Sequence, residues 1–264
     1  GGKRQLLERL IPLFPETYTS YCEPFIGGGA VLFALQPKKA IINDINSELI
    51  GVYRAIKDDV DALIKRLAQF ENTKECFYDV RSWDRNAELY NQLTDIDKAA
   101  RVIFLNKTCY NGLYRVNSAG EFNTPFGRYK NPNIVNESTL RAVHEYFNTA
   151  NVTILNTSYS KAVQGLPENS FVYLDPPYDP ISVTASFTGY NAGGFSREDQ
   201  IALRDCCRQL DAAGIKFMLS NSATEFIQDI YSDFNITIVP AKRAINSVGS
   251  KRGCVDEVVV RNYE

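Results

Sequence analysis

The stretch at residues 171–178, Phe-Val-Tyr-Leu-Asp-Pro-Pro-Tyr, constrains the fold more than any other part of the chain. Its first four residues are apolar, β-branched or aromatic, which predicts a short buried strand. The two prolines have no backbone N–H to donate, so the strand has to end at Asp175. In α/β sheets such strand ends bind ligands, so Asp175 and Tyr178 either form part of a site or belong to an ordinary turn. The tetrapeptide alone leaves both interpretations open.

Composition excludes several kinds of site. The 264 residues are 44% hydrophobic and 23% charged, which suits a globular protein of one large domain or two unequal ones. Six cysteines without a Cys-x-x-Cys pair and a single histidine, His144, argue against a metal site and a histidine-based triad. Scattered thiols, no signal-peptide pattern and no long apolar run favour a cytoplasmic protein without membrane association. Because the first residue is Gly rather than Met, we expect a fragment or a processed chain.

Two further strand ends predict a nucleoside-binding site. A short strand ending near Pro24 is followed by three glycines, Gly27–Gly29, and then by an apolar helix, which is typical of a nucleotide-binding α/β unit. The glycine spacing matches neither the dinucleotide fingerprint nor a phosphate loop, so a cofactor such as S-adenosylmethionine fits better. Asp44, at the end of the strand at 40–43, either accepts hydrogen bonds from ribose hydroxyls or caps the next helix.

The remaining pattern divides the chain into an α/β part and a helical insertion. Residues 1–56 and 148–264 alternate between strand and helix signals, whereas residues 57–147 are mostly helical. We therefore predict a Rossmann-like α/β sheet with an inserted, mostly helical domain. Further strands are expected at 152–155, 215–219, 236–239 and 257–260, a substrate-facing loop at 179–195, and a basic loop at 242–252.

Residues 106–133 favour contact with nucleic acid. The net charge of −2 argues against indiscriminate binding, but in this segment four basic residues accompany one acid, Glu121. Basic, aromatic and asparagine side chains can neutralise phosphate, stack on bases and hydrogen-bond base edges, although a polar loop is the alternative. Turn signals on both sides predict a hairpin strand at 114–117. The basic and aromatic residues are Lys107, Arg115, Arg128, Lys130, Tyr110, Tyr114, Phe122, Phe126 and Tyr129.

The chemistry of the Asp-Pro-Pro-Tyr turn suits an exocyclic amine on a nucleobase. Such an amine is a poor nucleophile because its lone pair is delocalised into the ring. The Asp175 carboxylate and the Pro176 carbonyl can each accept one amine hydrogen, with Pro176 and Pro177 fixing that carbonyl. Tyr178 can stack on the base, which has to be flipped out of the duplex at a cost of roughly a few kcal/mol.

Taken together, these motifs resemble those of the Dam-type DNA adenine-N6 methyltransferases (D12 class, alpha group). The resemblance covers essentially the whole chain, in the same order. It implies a Rossmann-like methyltransferase with an inserted DNA-recognition domain, acting as a monomer on double-stranded DNA and transferring a methyl group from S-adenosylmethionine to adenine N6 within GATC. The matching segments are Gly1-Gly2-Lys3, Glu23 to Gly29, Asn43 to Asn46, Tyr110 to Arg115, Phe122 to Lys130 and Asp175 to Tyr178.

The resemblance also implies roles for individual residues. It assigns to the cofactor Lys3, Phe25, Gly27, Gly28, Gly29, Asp44, Ile45 and Asp175. It assigns to catalysis Asp175, Pro176, Pro177 and Tyr178. It assigns to DNA Tyr110, Asn111, Leu113, Arg115, Pro125 and Tyr129, with Leu113, Arg115 and Pro125 helping to read the inner bases. We also expect Asn117, Arg128 and Lys130 of the same segment to contact DNA. Family members carry an aromatic residue, a lysine and a tryptophan just before Gly-Gly-Lys, so we expect this chain to lack one wall of the cofactor pocket and one DNA-contacting lysine.

Three other functions stay open at this point. Cytosine-N4 methylation shares the amine chemistry, although Asp rather than Ser at position 175 and the Dam-like loop argue against it. A DNA-binding protein without activity would not need residues 175–178 or the three glycines. An unrelated nucleotide-binding oxidoreductase is disfavoured by the glycine spacing.

Overall fold

The computed structural model describes residues 3–180, 194–240 and 256–264, with side chains from Leu6 onward. The chain divides into two compact units, Gly1–Ile45 with Thr157–Glu264, and Asn46–Asn156. The strands are β1 (Tyr21–Glu23), β2 (Lys39–Asn43), β3 (Asn151–Leu155), β4 (Phe171–Leu174), β5 (Lys216–Ser222), β6 (Asn235–Val239) and β7 (Glu257–Arg261). The helices are α1 (Lys3–Leu10), α2 (Ala30–Leu35), α3 (Ser47–Asp58), α4 (Val60–Leu67), α5 (Lys74–Ser82), α6 (Ala87–Gln92), α7 (Asp95–Thr108), α8 (Glu137–Thr149), α9 (Tyr159–Ala162), α10 (Arg197–Ala212) and α11 (Glu225–Ile230).

The first unit is built on a mostly parallel sheet. Within the described residues the sheet has seven strands, six of which belong to this unit in the order β2-β1-β4-β5-β7-β6. β1, β2, β4 and β5 pair in parallel, whereas β7 runs antiparallel to both β5 and β6. The predicted Rossmann-like α/β fold is therefore confirmed.

Burial of β4 explains its apolar sequence. All four residues of Phe171–Leu174 are buried, because β4 pairs with β1 on one side and β5 on the other. Parallel strands covered on both faces are typically continuous apolar runs rather than alternating ones. Val172 and Leu174 share a core with Leu203 and Cys207 of α10. Ser196 and Asp199 start α10 with a reciprocal capping box.

The second unit is mostly helical, and its core is apolar apart from one buried cation. Leu63, Leu67, Phe77 and Phe104 are fully buried between its helices. The helical run from residue 47 to 67 is interrupted at Asp59, whose side chain accepts a hydrogen bond from the Ala62 N–H and so starts α4 as a separate helix.

The buried cation is Arg101 of α7, whose side chain is 1% exposed. Its guanidinium pairs with Asp84 at 2.6 Å and with Glu48 at 3.6 Å. It also donates to the backbone carbonyls of Val80 and Arg81, each at 3.0 Å. A buried charge is tolerated only when it is paired and hydrogen-bonded in this way.

Two predicted elements differ from the observed ones. β5 continues to Ser222 instead of ending at residue 219, because Ser220 to Ser222 pair with β7. The hairpin strand predicted at 114–117 is wrong: that segment forms a single bridge between Val116 and Phe122. The predicted loops at 179–195 and 242–252 lie mostly or wholly outside the described residues.

Among the residues that the structure describes, none of the helices has both the length and the apolar character of a membrane span.

Replacing Arg101 by methionine tests the buried ion cluster. The substitution leaves the carboxylates of Asp84 and Glu48 without that cation, so we expect the second unit to lose about 3–5 kcal/mol of unfolding free energy. Urea unfolding followed by the fluorescence of Trp83, the single tryptophan of the chain, reports on this unit.

The matched control is Arg141→Met. Arg141 makes exposed ion pairs with Asp61 and Glu137, and such pairs contribute little to stability. We expect its urea midpoint to equal that of the wild type. Equal shifts in the two variants would contradict a special role for the buried pair.

Candidate active site

A cavity of about 1030 Å³ opens in the first unit at the carboxyl ends of β1, β2 and β4. Parallel strands end at the same edge of a sheet, so the turns that follow them lie side by side. Every predicted cofactor residue whose side chain the structure describes lines this cavity, as does the Asp-Pro-Pro-Tyr turn. These residues are Phe25, Gly27, Gly28, Gly29, Asp44, Ile45, Asp175, Pro176, Pro177 and Tyr178. Lys3 begins α1, but its side chain lies outside the described part of the chain.

The glycine turn brings backbone to the cavity surface. Gly27 and Gly29 have φ values of 45° and 67°, which glycine adopts without strain. A Cβ atom added at Gly28 would meet no atom of the described residues within 4 Å. The space beside Gly28 is therefore available to a bound molecule.

Asp44 supports the same turn. Its Oδ2 accepts a hydrogen bond from the Gly27 N–H at 3.1 Å. The alternative that Asp44 caps the next helix is wrong, because the Asn46 side chain accepts from the N–H groups of Glu48 and Leu49 at the start of α3. The Asp44 carboxylate is thus oriented by backbone at the cavity edge.

Asn43 belongs to a segment that matches the family, but the sequence assigned it no role, and it connects the segments around the cavity. This residue is fully buried at the end of β2. Its Nδ2 donates to the carbonyls of Pro24 and Thr157, each at 3.0 Å, and its Oδ1 accepts from the Thr157 N–H at 2.9 Å. One amide therefore fixes the end of β1 and the segment that leads into α9.

Three aromatic rings form one wall of the cavity. The Phe25 ring stacks on Tyr159 at 5.3 Å between centroids, and Phe195 packs edge-on to Phe25 at 6.1 Å. Burial raises the pKa of Tyr159, so its phenol stays neutral. A wall of this kind suits a planar ring. The sequence placed Phe195 in a substrate-facing loop but did not assign Tyr159 to a site, since the ring partners of Tyr159 are distant along the chain.

The Asp-Pro-Pro-Tyr turn projects from β4 into the cavity. Asp175 is half-buried and Pro176 is buried. The Tyr178 hydroxyl donates to Glu257 Oε2 at 2.8 Å. Burial, together with the charges of Asp175 and Glu257, raises the pKa of Tyr178 far above its usual range. The turn thus presents a carboxylate and a neutral aromatic ring.

Asp179, directly after the turn, fixes the chain to neighbouring helices. Its carboxylate is 1% exposed and accepts hydrogen bonds from Arg197 Nε and Nη2 at 3.1 and 3.2 Å, and from Thr224 Oγ1 at 2.8 Å. Charge-assisted bonds of this bidentate kind hold geometry tightly. The chain leaving Tyr178 is therefore fixed to α10 and to the start of α11.

The predicted DNA-contacting residues lie in the second unit and are almost all exposed. Asn117 is half-buried, and its Oδ1 accepts from the N–H groups of Ala119 and Glu121, each at 3.0 Å, so it shapes its own turn. The exposed residues are Tyr110, Asn111, Leu113, Arg115, Pro125, Arg128, Tyr129 and Lys130.

The loop that carries these residues is anchored to the buried ion cluster. Glu48 accepts a hydrogen bond from the Tyr114 hydroxyl at 3.0 Å, and Asp84 accepts from the Phe122 N–H at 2.7 Å. Burial and the Glu48 carboxylate raise the pKa of Tyr114 to about 12, so this hydroxyl remains a donor at neutral pH. Because both carboxylates pair with Arg101, one cation supports two points of the loop.

Contacts within the loop orient individual residues. Arg115 Nε donates to Asn123 Oδ1 at 2.8 Å, and the Asn111 N–H donates to the Tyr129 hydroxyl at 2.9 Å. A Cβ added at Gly127 would lie 2.7 Å from the Cys109 carbonyl oxygen, so only glycine allows the two backbones to approach this closely.

Comparison with known proteins agrees with this arrangement. The model of the D12 class N6 adenine-specific DNA methyltransferase family matches residues 1–245. The chain is 47% identical over 265 residues to the type II methyltransferase M1.LlaDCHI of Lactococcus lactis subsp. cremoris, covering 100% of this chain and 93% of the relative. It is 43% identical over 284 residues to the type II methyltransferase M.MjaIII of Methanocaldococcus jannaschii, covering 100% and 96%. It is 33% identical over 264 residues to the DNA adenine methylase of Escherichia coli (strain K12), covering 98% and 91%.

The family match spans most of the chain, and the matching motifs line one cavity and one exposed loop. This chain therefore belongs to the D12 class of N6 adenine-specific DNA methyltransferases.

Proposed function

We propose that this enzyme transfers the methyl group of S-adenosylmethionine to N6 of an adenine flipped out of duplex DNA, within the sequence GATC, and releases S-adenosylhomocysteine. The observation that carries the proposal is that Asp44 and Asp175 line the same cavity of about 1030 Å³. That volume is at the upper end of the roughly 300–1,000 Å³ typical of ligand pockets, which suits a nucleoside cofactor together with a base.

The residues around the glycine turn fit such a cofactor. The Asp44 carboxylate can accept hydrogen bonds from ribose hydroxyls, and the open space beside Gly28 admits the cofactor close to backbone. The stacked rings of Phe25 and Tyr159 offer a flat surface to an adenine ring. When bound, S-adenosylmethionine supplies an electrophilic methyl group on a sulfonium.

The Asp-Pro-Pro-Tyr turn activates the amine of the target base. The Asp175 carboxylate and the Pro176 carbonyl each accept one N6 hydrogen, which concentrates the lone pair on nitrogen. Methylation would place positive charge on N6, and the Asp175 carboxylate would stabilise that charge and accept the N6 proton. The neutral ring of Tyr178 stacks on the base, which replaces part of the stacking lost on flipping.

The exposed loop of the second unit reads the DNA. Arg115 is oriented by Asn123 and remains exposed, as base recognition in a groove requires. Arg128 and Lys130 are exposed cations that suit phosphate contacts. GATC is supported by the likeness of this loop to the Dam-type family, and a role in restriction–modification by the type II names of two relatives.

Digestion of treated plasmid tests the reaction and the site together. Plasmid free of N6-methyladenine is incubated with the enzyme and S-adenosylmethionine, then cut with two nucleases that recognise GATC and differ in tolerance of N6-methyladenine. We expect resistance to the sensitive nuclease and full cleavage by the tolerant one. N6-Methyladenine in the hydrolysed DNA with GATC still cleavable would overturn the site, and N4-methylcytosine instead would overturn the reaction.

Asp175→Ala tests the catalytic assignment. Removing a group that stabilises charge in the transition state typically costs about 10²–10³ in kcat. We expect a loss of this size in single-turnover methylation, with the Kd for duplex DNA unchanged in a fluorescence anisotropy titration. Asp61→Ala is the control, because Asp61 is an exposed carboxylate of the second unit, with its side chain 78% exposed. Turnover at the wild-type rate in Asp175→Ala would show that the assignment is wrong.

Arg115→Ala and Lys130→Ala separate base reading from phosphate binding. A specific base contact contributes about 1–3 kcal/mol, so Arg115→Ala should reduce the preference in kcat/KM for GATC over a one-base variant by about 5- to 150-fold. Lys130→Ala should weaken binding to both duplexes equally and lower the slope of log Kd against log salt by about 1. An unchanged preference in Arg115→Ala would exclude it as a base-reading residue.

A further inference from the structure

We infer that Gln200 and Asn221 are positioning residues for Tyr178 in the methyl-transfer site. The inference rests on the proposed function, because it assigns them an effect on that reaction. Neither residue belongs to the motifs that define the site. Both are buried, Gln200 at 1% exposure on α10 and Asn221 at 0% on β5.

The two amides form a hydrogen-bonded chain that ends on the Asp-Pro-Pro-Tyr turn. Asn221 Nδ2 donates to Gln200 Oε1 at 3.1 Å, and Gln200 Nε2 donates to the Pro177 carbonyl at 2.8 Å. Asn221 Oδ1 accepts from the Asp179 N–H at 3.0 Å. The pair therefore holds the carbonyl that precedes Tyr178 and the N–H that follows it.

Holding these two groups fixes the direction of the Tyr178 side chain. Each peptide group is planar, so one bond to the Pro177 carbonyl and one to the Asp179 N–H orient the planes on both sides of the Tyr178 Cα. Those planes determine the φ and ψ angles of Tyr178 and with them the direction of its Cα–Cβ bond. The hydroxyl is held separately by Glu257. The ring is thus restrained at both ends, as a stacking surface for a reacting base requires.

The hydrogen bonds of the two amides have a fixed direction from donor to acceptor, which a carboxylate at position 200 cannot reproduce. Gln200 has to accept from Asn221 with its oxygen and donate to Pro177 with its nitrogen. An ionised carboxylate at this position would still accept from Asn221 but would place a second oxygen against the Pro177 carbonyl. A protonated carboxyl group would restore the donor. The charged groups around the two amides are Asp179 with its partner Arg197, and Glu257 at the Tyr178 hydroxyl. Burial at position 200 raises the pKa of an introduced carboxyl group, which brings this titration within the range of an assay.

Gln200→Glu therefore tests the inference through pH. We expect the ratio of its single-turnover methylation rate to that of the wild type to be near one at the acidic end of the enzyme's working range. The ratio should fall by about tenfold or more as the introduced carboxyl group ionises, since small displacements of a positioned group cost up to about 10²-fold in rate. The Kd for S-adenosylhomocysteine should stay constant.

Two variants of α10 serve as controls. Gln200→Met has a similar length and cannot donate at any pH, so its rate ratio should be low and independent of pH. Gln209→Glu introduces the same charge at an exposed position of the same helix, so its ratio should be one throughout. Thermal unfolding at each pH measures the folded fraction, to which the rates are normalised. A pH-independent ratio in Gln200→Glu, or a wild-type rate in Gln200→Met, would overturn the inference.

A double-mutant cycle tests whether Gln200 acts through Tyr178. If it does, Gln200→Met should add less than about twofold to the rate loss in a Tyr178→Ala background, whereas independent effects would multiply. Multiplied effects would overturn the positioning role while leaving the methyltransferase proposal intact. Failure of the wild type to methylate DNA would instead overturn the proposed function.

Discussion

Parallel pairing of β4 with β1 on one side and β5 on the other decides where chemistry can occur in the first unit. The pairing requires the apolar run of Phe171–Leu174, and the prolines that follow end it at Asp175. Because β1 and β2 run parallel to β4, their own turns end at the same edge, which brings Gly27–Gly29 and Asp44 to one cavity. A shift of one residue in the β4 register would reverse the faces of the whole strand and move Asp175 away from its partners.

Neutral amides stabilise the irregular backbone beyond these strand ends. Asn43 lies at the end of β2 and Asn221 near the end of β5, and each uses both its donor and its acceptor on backbone groups or on another amide. Backbone that leaves a sheet loses its ladder partners, and those groups need replacements when they are buried. An amide can satisfy a carbonyl and an N–H at once, which a carboxylate cannot. The backbone at these two strand ends is therefore held by uncharged side chains.

Local signals explain which parts of the fold and site could be predicted from the sequence. The backbone near a positive-φ glycine, a proline pair or an apolar run is constrained by that feature itself. Short segments of sequence are therefore enough to predict the α/β sheet and the residues that line the cavity. Gln200 could not be found this way, because it lies 23 residues from Pro177 and is a polar residue on the buried face of an amphipathic helix, where the pattern predicts apolar residues. The hairpin expected at 114–117 is reduced to the bridge between Val116 and Phe122, flanked by backbone hydrogen bonds from the Asn117 N–H to the Glu121 carbonyl and from the Asn123 N–H to the Arg115 carbonyl, each at 2.9 Å. The roles of individual site residues and the domain bounds of 57–147 stay predictions.

Some basic residues of the second unit hold its loop in place, whereas others are exposed on that loop. The charge of Arg101 is neutralised by Asp84 and Glu48, and Arg81 and Arg85 donate to the carbonyls of Thr124 and Phe122. These three cations hold the loop in place from within the second unit. Lys107, Arg115, Arg128 and Lys130 are exposed on the same loop, as the proposed contacts with DNA require. A net charge of −2 is compatible with DNA binding, because phosphate is neutralised by a local group of cations rather than by the charge of the whole chain.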